Sequence, residues 1–350
     1  MAQRCSAKIK FPKFSVQAQI LLNWIVKIGI ALGVVKNLVA ASFGRGRNAR
    51  FVFLGYLAAL GAAVLSGLLP SLSKPILESV NPLFFTGIVT LAPALLFTPV
   101  SIRSNENKHI RRNGFFILAA IAILGGLIAP YIYFVGLTET TASDAALLAN
   151  GEMVFTVLIA AMFFGERLSK KGLFALTLLA IGIVTVITDL QFSTSITNFT
   201  QPGHALILGA TLLWGIDNNV TSAITERVNV ARIIQLKAVI SGIGLLLIAF
   251  LSHAAKISSP SLLLEVFLFG LIVFSGSAFL SIETLKRLGA ITTTIVFPIT
   301  SIFGLAFAYL LLGEVITPVQ VASVAVILLG IYLLTRKGSV IREGINLEQY

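Results

Sequence analysis

The chain has 350 residues, of which 57% are hydrophobic and only 11% charged, and its mean hydropathy is +0.96. Soluble globular domains carry about 25% charged and about 45–50% apolar residues. This composition excludes a water-soluble protein, a disordered chain and a nucleic-acid binder built on a basic surface. The net charge of +12 is instead explained by a membrane protein, in which Lys and Arg concentrate at the cytoplasmic side.

Residues 1–50 precede the first clear membrane span and carry nine Lys and Arg. Within them, the apolar segment 20–43 also contains Asn23, Lys27 and Lys36. Such a segment is typical of an interfacial helix on the anionic inner leaflet of a membrane. A true span, a cleaved targeting segment and an extension from an upstream start codon are the alternatives.

Ten apolar stretches follow, each long enough to cross a bilayer core about 30 Å thick. Backbone polar groups in lipid must be satisfied within the segment. We therefore predict an all-α integral membrane protein with ten transmembrane helices. The stretches are residues 51–72, 82–100, 115–136, 142–164, 171–188, 203–224, 232–251, 262–283, 290–312 and 317–335.

Lys and Arg are distributed unevenly over the connections between these stretches. The even-numbered connections and the C-terminal tail together hold 14 of them, whereas the odd-numbered connections hold only Lys74 and Lys256. Because positive charge favours the cytoplasmic side, we expect a multi-pass protein of the cell (plasma) membrane with both termini in the cytoplasm.

The chain repeats itself at an offset of 148 residues. Nine of the 22 residues from 60 to 81 are identical to those from 208 to 229, and the same offset aligns Gly165-Glu166 with Gly313-Glu314. Two separated blocks at one offset are poorly explained by shared hydrophobicity alone.

Each repeat contains five predicted helices, and five is an odd number. The second repeat therefore enters the membrane from the opposite side, which gives two inverted repeats. Many secondary transporters have this architecture, with the substrate between the repeats near the midplane. The predicted organisation is a basic extension (1–50), a first repeat (51–188), an external linker (189–202), a second repeat (203–337) and a cytoplasmic tail (338–350).

The fourth and ninth predicted helices end in related motifs, G-E-R-L-S at 165–169 and G-E-V-I-T at 313–317. With the repeat, these motifs resemble the EamA family of the drug/metabolite transporter superfamily. The resemblance covers residues 51–337 and implies a ten-helix transporter of small organic metabolites. It also implies a central cavity lined by the first, third, fourth, sixth, eighth and ninth helices. Met153 stands where such proteins commonly have the proline of an E-P pair, which leaves the fourth helix unkinked there.

Two carboxylates lie deep inside predicted helices. Glu152 is about ten residues into the fourth helix, near the bilayer midplane, and Asp217 lies in the sixth helix beside Asn218. Ionisable groups at this depth are costly and mark substrate or proton pathways by default. The alternatives are a neutral Glu152 carboxyl bonded to Asn150 or a threonine, and a structural helix contact at Asp217.

Further cavity candidates are polar or aromatic residues on the predicted cavity helices. Trp214 aligns with Ser66 of the first repeat, so the two halves should present different side chains to a substrate. Tyr131 and Thr300 offer hydroxyl groups, although interfacial anchoring and helix packing explain such residues equally well. Lys74, near the external end of the first helix, would either attract an anionic group or snorkel to the headgroups.

Several other residues are assigned structural roles. Lys237 lies within two turns of the inner surface and is expected to snorkel. Glu166 and Glu314 end their helices at opposite surfaces, and with Gly165 and Gly313 they are expected to close each repeat.

Enzyme, metal and cofactor motifs are not found in the sequence. The single cysteine, Cys5, and three scattered histidines offer no metal-ligand spacing, and neither H-E-x-x-H nor a P-loop occurs. We therefore predict no enzymatic activity and no cofactor. The favoured function is a secondary transporter that exports amino acids, amines or drug-like molecules by alternating access.

The expected partners are the small-molecule substrate and the lipid bilayer, with protons open as a coupling ion and no nucleic acid. Either a monomer or a homodimer fits the sequence. An exchanger of phosphorylated or nucleotide-linked metabolites is one alternative function. A membrane receptor or scaffold that transports nothing is the other.

Overall fold

The computed structural model describes residues 47–103, 112–163, 167–188, 202–225, 230–256, 259–296, 299–334 and 340–341. Within these ranges the backbone is almost entirely helical. Two strands of two residues, β1 (Arg167–Leu168) and β2 (Val340–Ile341), pair antiparallel. Most of the predicted N-terminal extension, the external linker and the tail fall outside the described residues, as do Gly165 and Glu166.

The described part of the first repeat is almost entirely helical. These are α1 (Arg47–Leu77), α2 (Pro82–Arg103), α3 (Arg112–Ile121), a π-helical segment π1 (Ala122–Ile128), α4 (Ala129–Thr138), α5 (Ala142–Leu148), α6 (Gly151–Phe163) and α7 (Lys170–Thr188). The side chain of Asn81 accepts from the N–H of Leu83 at 2.9 Å, and that of Thr141 accepts from Asp144 at 3.0 Å. These two side chains cap the starts of α2 and α5.

The second repeat forms α8 (Pro202–Thr225), α9 (Val230–Leu251), α10 (Pro260–Leu268), a π-helical segment π2 (Phe269–Phe274), α11 (Ser275–Val296), α12 (Ile299–Leu312) and α13 (Pro318–Leu334). Three of these helices begin at proline, where the missing N–H would have no helical partner anyway. Gly313 follows α12 with φ of +67°, the left-handed conformation that ends helices and suits glycine.

Seven helical segments in the described ranges are long and apolar enough to cross a membrane. They are Phe53–Leu77, Pro82–Pro99, Phe116–Thr138, Ala142–Phe163, Lys170–Thr188, Val230–Leu251 and Pro260–Thr284. Ile299–Leu312 and Pro318–Leu333 are apolar but shorter. Helix α8 carries the polar run from Asp217 to Asn219 and is not among the seven. The chain is thus a multi-pass membrane protein, while the count of ten spans stays a prediction.

The two repeats pack against each other with exchanged partners. Helix α1 packs against α11 and α12, and its equivalent α8 packs against α4 and α6. Helix α2 packs against its own equivalent α9, and α7 packs against its equivalent α13. This exchange is the pattern expected of two repeats related by a two-fold axis. The repeat in the sequence is therefore also present in the packing.

Close glycine contacts between α7 and α13 follow the same symmetry. A Cβ at Gly182 would lie 2.6 Å from Cγ1 of Ile327. A Cβ at Gly330 would lie 2.9 Å from Cγ of Leu179 and 3.0 Å from the carbonyl oxygen of Ala175. Small residues at such contacts let two membrane helices approach closely.

Gly330→Ala is therefore expected to lower the thermal unfolding midpoint of the purified protein by several degrees. The added methyl group meets backbone atoms of α7, and overpacking of this kind costs about 1–3 kcal/mol. Gly209→Ala is the matched control, because a Cβ there meets Ile132 at an ordinary 3.5 Å. Equal midpoints for the two variants in a size-exclusion melting assay would contradict the contact.

The fourth predicted helix is interrupted, which corrects the expectation of an unkinked helix near Met153. Helix α5 ends at Leu148 and α6 begins at Gly151, with a turn between them. The side chain of Asn150, in this turn, donates to the carbonyl oxygen of Leu147 at 2.8 Å. Asparagine competes with helical backbone bonds in this way, so the break does not require a proline.

Helix α11 runs through the connection predicted at 284–289 and divides the ninth predicted span, 290–312, between α11 and α12. Glu283 accepts a hydrogen bond from Arg287 at 3.0 Å and one from Lys286 at 3.5 Å. These pairs are one helical turn apart and stabilise a helix. The polar residues that predicted a loop here therefore support a continuous helix instead.

Candidate functional site

Glu152 and Asn218 meet where the two repeats pack against each other. Glu152 lies in the first turn of α6, and Nδ2 of Asn218 on α8 donates to its Oε1 at 2.6 Å. One turn further along α6, Nδ2 of Asn219 donates to the carbonyl oxygen of Thr156 at 2.9 Å. Two polar residues of the sixth predicted helix, Asn218 and Asn219, thus contact the fourth predicted helix.

Asp217 is buried and forms an ion pair with Lys237 of α9. Nζ of Lys237 lies 2.6 Å from Oδ1, and Asp217 is 7% exposed. The hydroxyl of Thr221 donates to the same oxygen at 3.3 Å. The expectation that Lys237 snorkels is therefore wrong, since its ammonium group is held inside the protein. A charge buried among apolar residues is stabilised by an opposite charge where one lies within reach.

Segment π1 covers this ion pair. A Cβ at Gly125 would lie 2.4 Å from Cγ of Asp217, so a larger residue leaves no room for the carboxylate. Nε1 of Trp214 donates to the carbonyl oxygen of Gly125 at 3.1 Å, and its ring centroid lies 5.4 Å from that of Tyr133. Trp214 thus links α8 to π1 and α4, where Tyr131 is half-buried.

Asn150 contacts the second repeat rather than Glu152. Its Nδ2 donates to Oγ of Ser301 on α12 at 2.8 Å. The alternative of a Glu152 carboxyl bonded to Asn150 is not what the structure shows, because Asn218 supplies the amide that Glu152 binds.

The related position in the other repeat carries different chemistry. Thr300 on α12 is equivalent to Glu152, and its buried hydroxyl oxygen has no hydrogen-bond partner among the described residues. Pro70 on α1 is equivalent to Asn218, and proline has no N–H to donate to the carbonyl of Ser66 one turn earlier. Glu152 and Asn218 thus combine a carboxylate of the first repeat with an amide of the second. The equivalent positions combine the hydroxyl of Thr300 in the second repeat with the carbonyl of Ser66 in the first, which Pro70 leaves without its usual helical donor.

A second polar cluster joins the repeats at the end of the bundle where α1 ends and α13 begins. Lys74 donates to the carbonyl oxygen of Thr140, and its Nζ lies 3.9 Å from Oε1 of Glu314. Glu314 accepts the N–H groups of Ala142 and Ser143 at 2.7 and 2.9 Å. A carboxylate in this position caps α5 and stabilises its positive end. Lys74 is thus paired inside the protein rather than extended toward headgroups.

The same cluster contains three residues that the sequence did not single out: Asp144, His204 and Gln320. Nε2 of Gln320 donates to Oδ1 of Asp144 at 2.8 Å, and Nε2 of His204 lies 3.5 Å from Oδ2 of Asp144. Glu265 on α10 is also buried and was not predicted. These four residues lie in the first or second turn of their helices. Polar and charged residues near helix ends usually lie at the membrane interface, so the sequence positions did not indicate a buried contact.

Metal-binding groups do not form within the described ranges, since no three His, Cys, Asp or Glu side chains come together there. Glu152 and Asp217 instead contact amide and ammonium groups.

A family model described as the EamA-like transporter family matches the chain twice, over residues 53–188 and 201–336. The chain belongs to the EamA-like transporter family. The two matches coincide with the two repeats and confirm the resemblance that the motifs indicated. Together with the membrane-spanning helices, they identify a membrane transporter of small metabolites.

This EamA-like transporter is 29% identical over 302 residues to an uncharacterized transporter of Methanothermobacter thermautotrophicus, covering 81% of this chain and 87% of that one. It is 28% identical over 208 residues to a protein of Salmonella typhimurium named "Probable amino-acid metabolite efflux pump", covering 54% and 66%. One crystal structure shares the fold, with a TM-score of 0.57 and 16% identity over 82% of this chain and 97% of the other.

Proposed function

We propose that this EamA-like chain is a secondary transporter that exports small organic solutes bearing an amino group, with Glu152 as the group that binds them. The meeting of Glu152 and Asn218 at the contact between the repeats carries this proposal. Alternating access requires a site that both halves can expose in turn, and a residue pair that joins them provides one. Asp217, the other carboxylate nearby, is paired with Lys237, whereas Glu152 contacts a neutral amide. Glu152 is therefore the carboxylate that we assign to the amino group of a ligand.

The exposure of Asn218 supports an accessible space beside Glu152. Asn218 is exposed although it lies well inside α8, and it bonds to a carboxylate. Polar side chains at this depth avoid lipid and face a wet cavity or another helix. We therefore assign the exposed face of Asn218 to a water-filled cavity between the repeats.

The predicted inverted arrangement of ten helices would permit alternating access. The exchanged helix partners fit a two-fold axis between the repeats, and 14 Lys and Arg are predicted at one end of the bundle against two at the other. Both features are expected if the axis lies in the membrane plane. Rocking of one repeat against the other then exposes Glu152 to each side in turn.

The substrate class follows from charge. A lysine paired with a carboxylate attracts phosphate less than a free lysine, and Lys74 and Lys237, both near the repeat contacts, are paired with carboxylates. This argues against an exchanger of phosphorylated metabolites. The Salmonella relative, which is named a probable amino-acid metabolite efflux pump, supports amino compounds as cargo and export as the direction.

Metabolite profiling of cells and medium tests this function. Expression of the intact chain should move amino compounds into the medium relative to cells that carry an empty vector. Glu152→Gln, expressed at the same level, should abolish that shift. A profile unchanged by the intact chain would favour a receptor or scaffold, and a shift of phosphorylated compounds would favour the exchanger.

A further inference from the structure

His204 is a buried titratable residue that the proposed substrate site does not use. It lies in the first turn of α8 and is 5% exposed, and neither ring nitrogen has a hydrogen-bond partner among the described residues. Its Nε2 lies 3.5 Å from Oδ2 of Asp144 in the other repeat. Burial of an unpartnered polar group costs about 1–3 kcal/mol, so this buried ring is costly without a partner.

His204 belongs to a contact between the repeats that we call the latch: Lys74, Asp144, His204, Glu314 and Gln320. The bond from Gln320 to Asp144, the approach of His204 to Asp144 and the bonds from the start of α5 to Glu314 all cross between the repeats. The five residues lie at one end of the bundle. Opening this end would therefore break all of these contacts together.

Two carboxylates of the latch, Asp144 and Glu314, face a single lysine, Lys74. A further carboxylate, Glu139, is exposed at the end of α4, and its backbone contacts Gly203 next to His204. Among the described residues, Asp144 is the carboxylate within ion-pair distance of His204. A proton on His204 balances the charges of the five latch residues, and buried charges are stable when paired.

We propose that His204 and Asp144 form a proton-binding site and that the bound proton holds the latch closed. When the latch opens, water solvates both groups, and the attraction that favours the proton is lost. Proton binding and closure are then linked, so that each favours the other by the same factor. Histidine is the side chain whose charge ordinarily changes between pH 5 and 8. Low pH therefore closes the latch, and high pH opens it.

This site goes beyond the proposed substrate site, because it binds a proton apart from Glu152 and acts whatever solute is carried. A proton that is released when this end opens and rebound when it closes couples the equilibrium between the open and closed latch to the pH on the side of the membrane that this end faces. The coupling needs no titration of the residues that contact the substrate.

Distance measurements between the repeats test the proton site without any substrate. The experiment uses the full chain with Cys5→Ser and spin labels at Ser79→Cys and Val321→Cys, both of which are exposed at the latch end and outside the latch. In lipid nanodiscs, one short distance should dominate at pH 5.5. A longer distance should gain population by at least about fivefold at pH 8, the lower range of coupling between sites.

Variants at the two histidines of this end separate the proton site from other pH effects. His204→Gln should remove the pH dependence, whereas His253→Gln, on an exposed turn after α9, should retain it. His204→Lys, which keeps a positive charge, should hold the short distance at pH 8. An unchanged distance distribution in the parent, or an intact pH response in His204→Gln, would overturn the proposal. If His204→Gln does not fold, the test uses His204→Lys instead, and a distance distribution in that variant that still changes with pH would overturn the proposal.

Discussion

Asp217→Asn is expected to remove most of the folded protein, and a second change, Lys237→Met, is expected to restore it. The single change leaves the ammonium group of Lys237 without its carboxylate partner, and the carboxylate position is tightly packed against Gly125. Breaking one side of a buried ion pair costs about 3–5 kcal/mol, whereas replacing both charges by neutral groups is often close to neutral. Monodisperse yield and thermal midpoint after extraction in detergent measure the effect.

A half-exposed ion pair within one helix provides the control. Glu283 pairs with Arg287 on α11, and Glu283→Gln should change stability by less than about 1 kcal/mol, as is usual for such pairs. If Asp217→Asn is as stable as Glu283→Gln, the buried pair does not hold α8 to α9. If the double variant is no better than the single one, the loss comes from packing rather than from an unpaired charge.

The two carboxylates that the sequence could not distinguish have different partners in the structure. Both lie inside helices, and sequence position alone made each an equal candidate for substrate or proton binding. Asp217 is paired with the ammonium group of Lys237, whereas Glu152 contacts the neutral amide of Asn218. We therefore propose that Asp217 stabilises the fold and that Glu152 contacts the ligand.

The partners of these residues could not be predicted because they come from other helices. The offset of 148 residues predicted that two halves would be related, and the exchanged contacts of α1 and α8 agree with it. No periodicity along the chain indicates that Lys237, 20 residues after Asp217, turns back to it across a helix contact. His204 and Asp144 are likewise distant in sequence and have no charged equivalents in the other repeat.

The errors in the helix predictions have a common cause. Polar residues between apolar stretches were interpreted as connections, but Glu283 and Arg287 form a helical pair there and α11 continues. Conversely, the absence of proline near Met153 predicted a straight helix, but the amide of Asn150 competes with the backbone. In both places a side-chain hydrogen bond, rather than hydropathy, determines whether the helix continues.

Glu152→Gln is expected to fold like the parent chain and yet to transport about 10–100-fold more slowly. Glutamine has nearly the same volume, and its side-chain oxygen can still accept the bond from Asn218. What is lost is a charge-assisted contact with the amino group of the substrate, and such contacts contribute about 1.5–3 kcal/mol. Efflux of ¹⁴C-labelled amino acids and primary amines from preloaded membrane vesicles measures the rate.

Glu139→Gln is the matched control, since this carboxylate is exposed in the turn before α5 and lies outside the proposed cavity. It should leave efflux at the parent rate. Full efflux by Glu152→Gln would remove this carboxylate from the mechanism, and an equal loss in both variants would mean that the assay reports a general effect of charge. We expect Glu152→Gln to reduce efflux without loss of stability, and Asp217→Asn to lose stability that Lys237→Met restores. These two results together would show that Glu152 binds the substrate and that the Asp217–Lys237 pair holds the helices together.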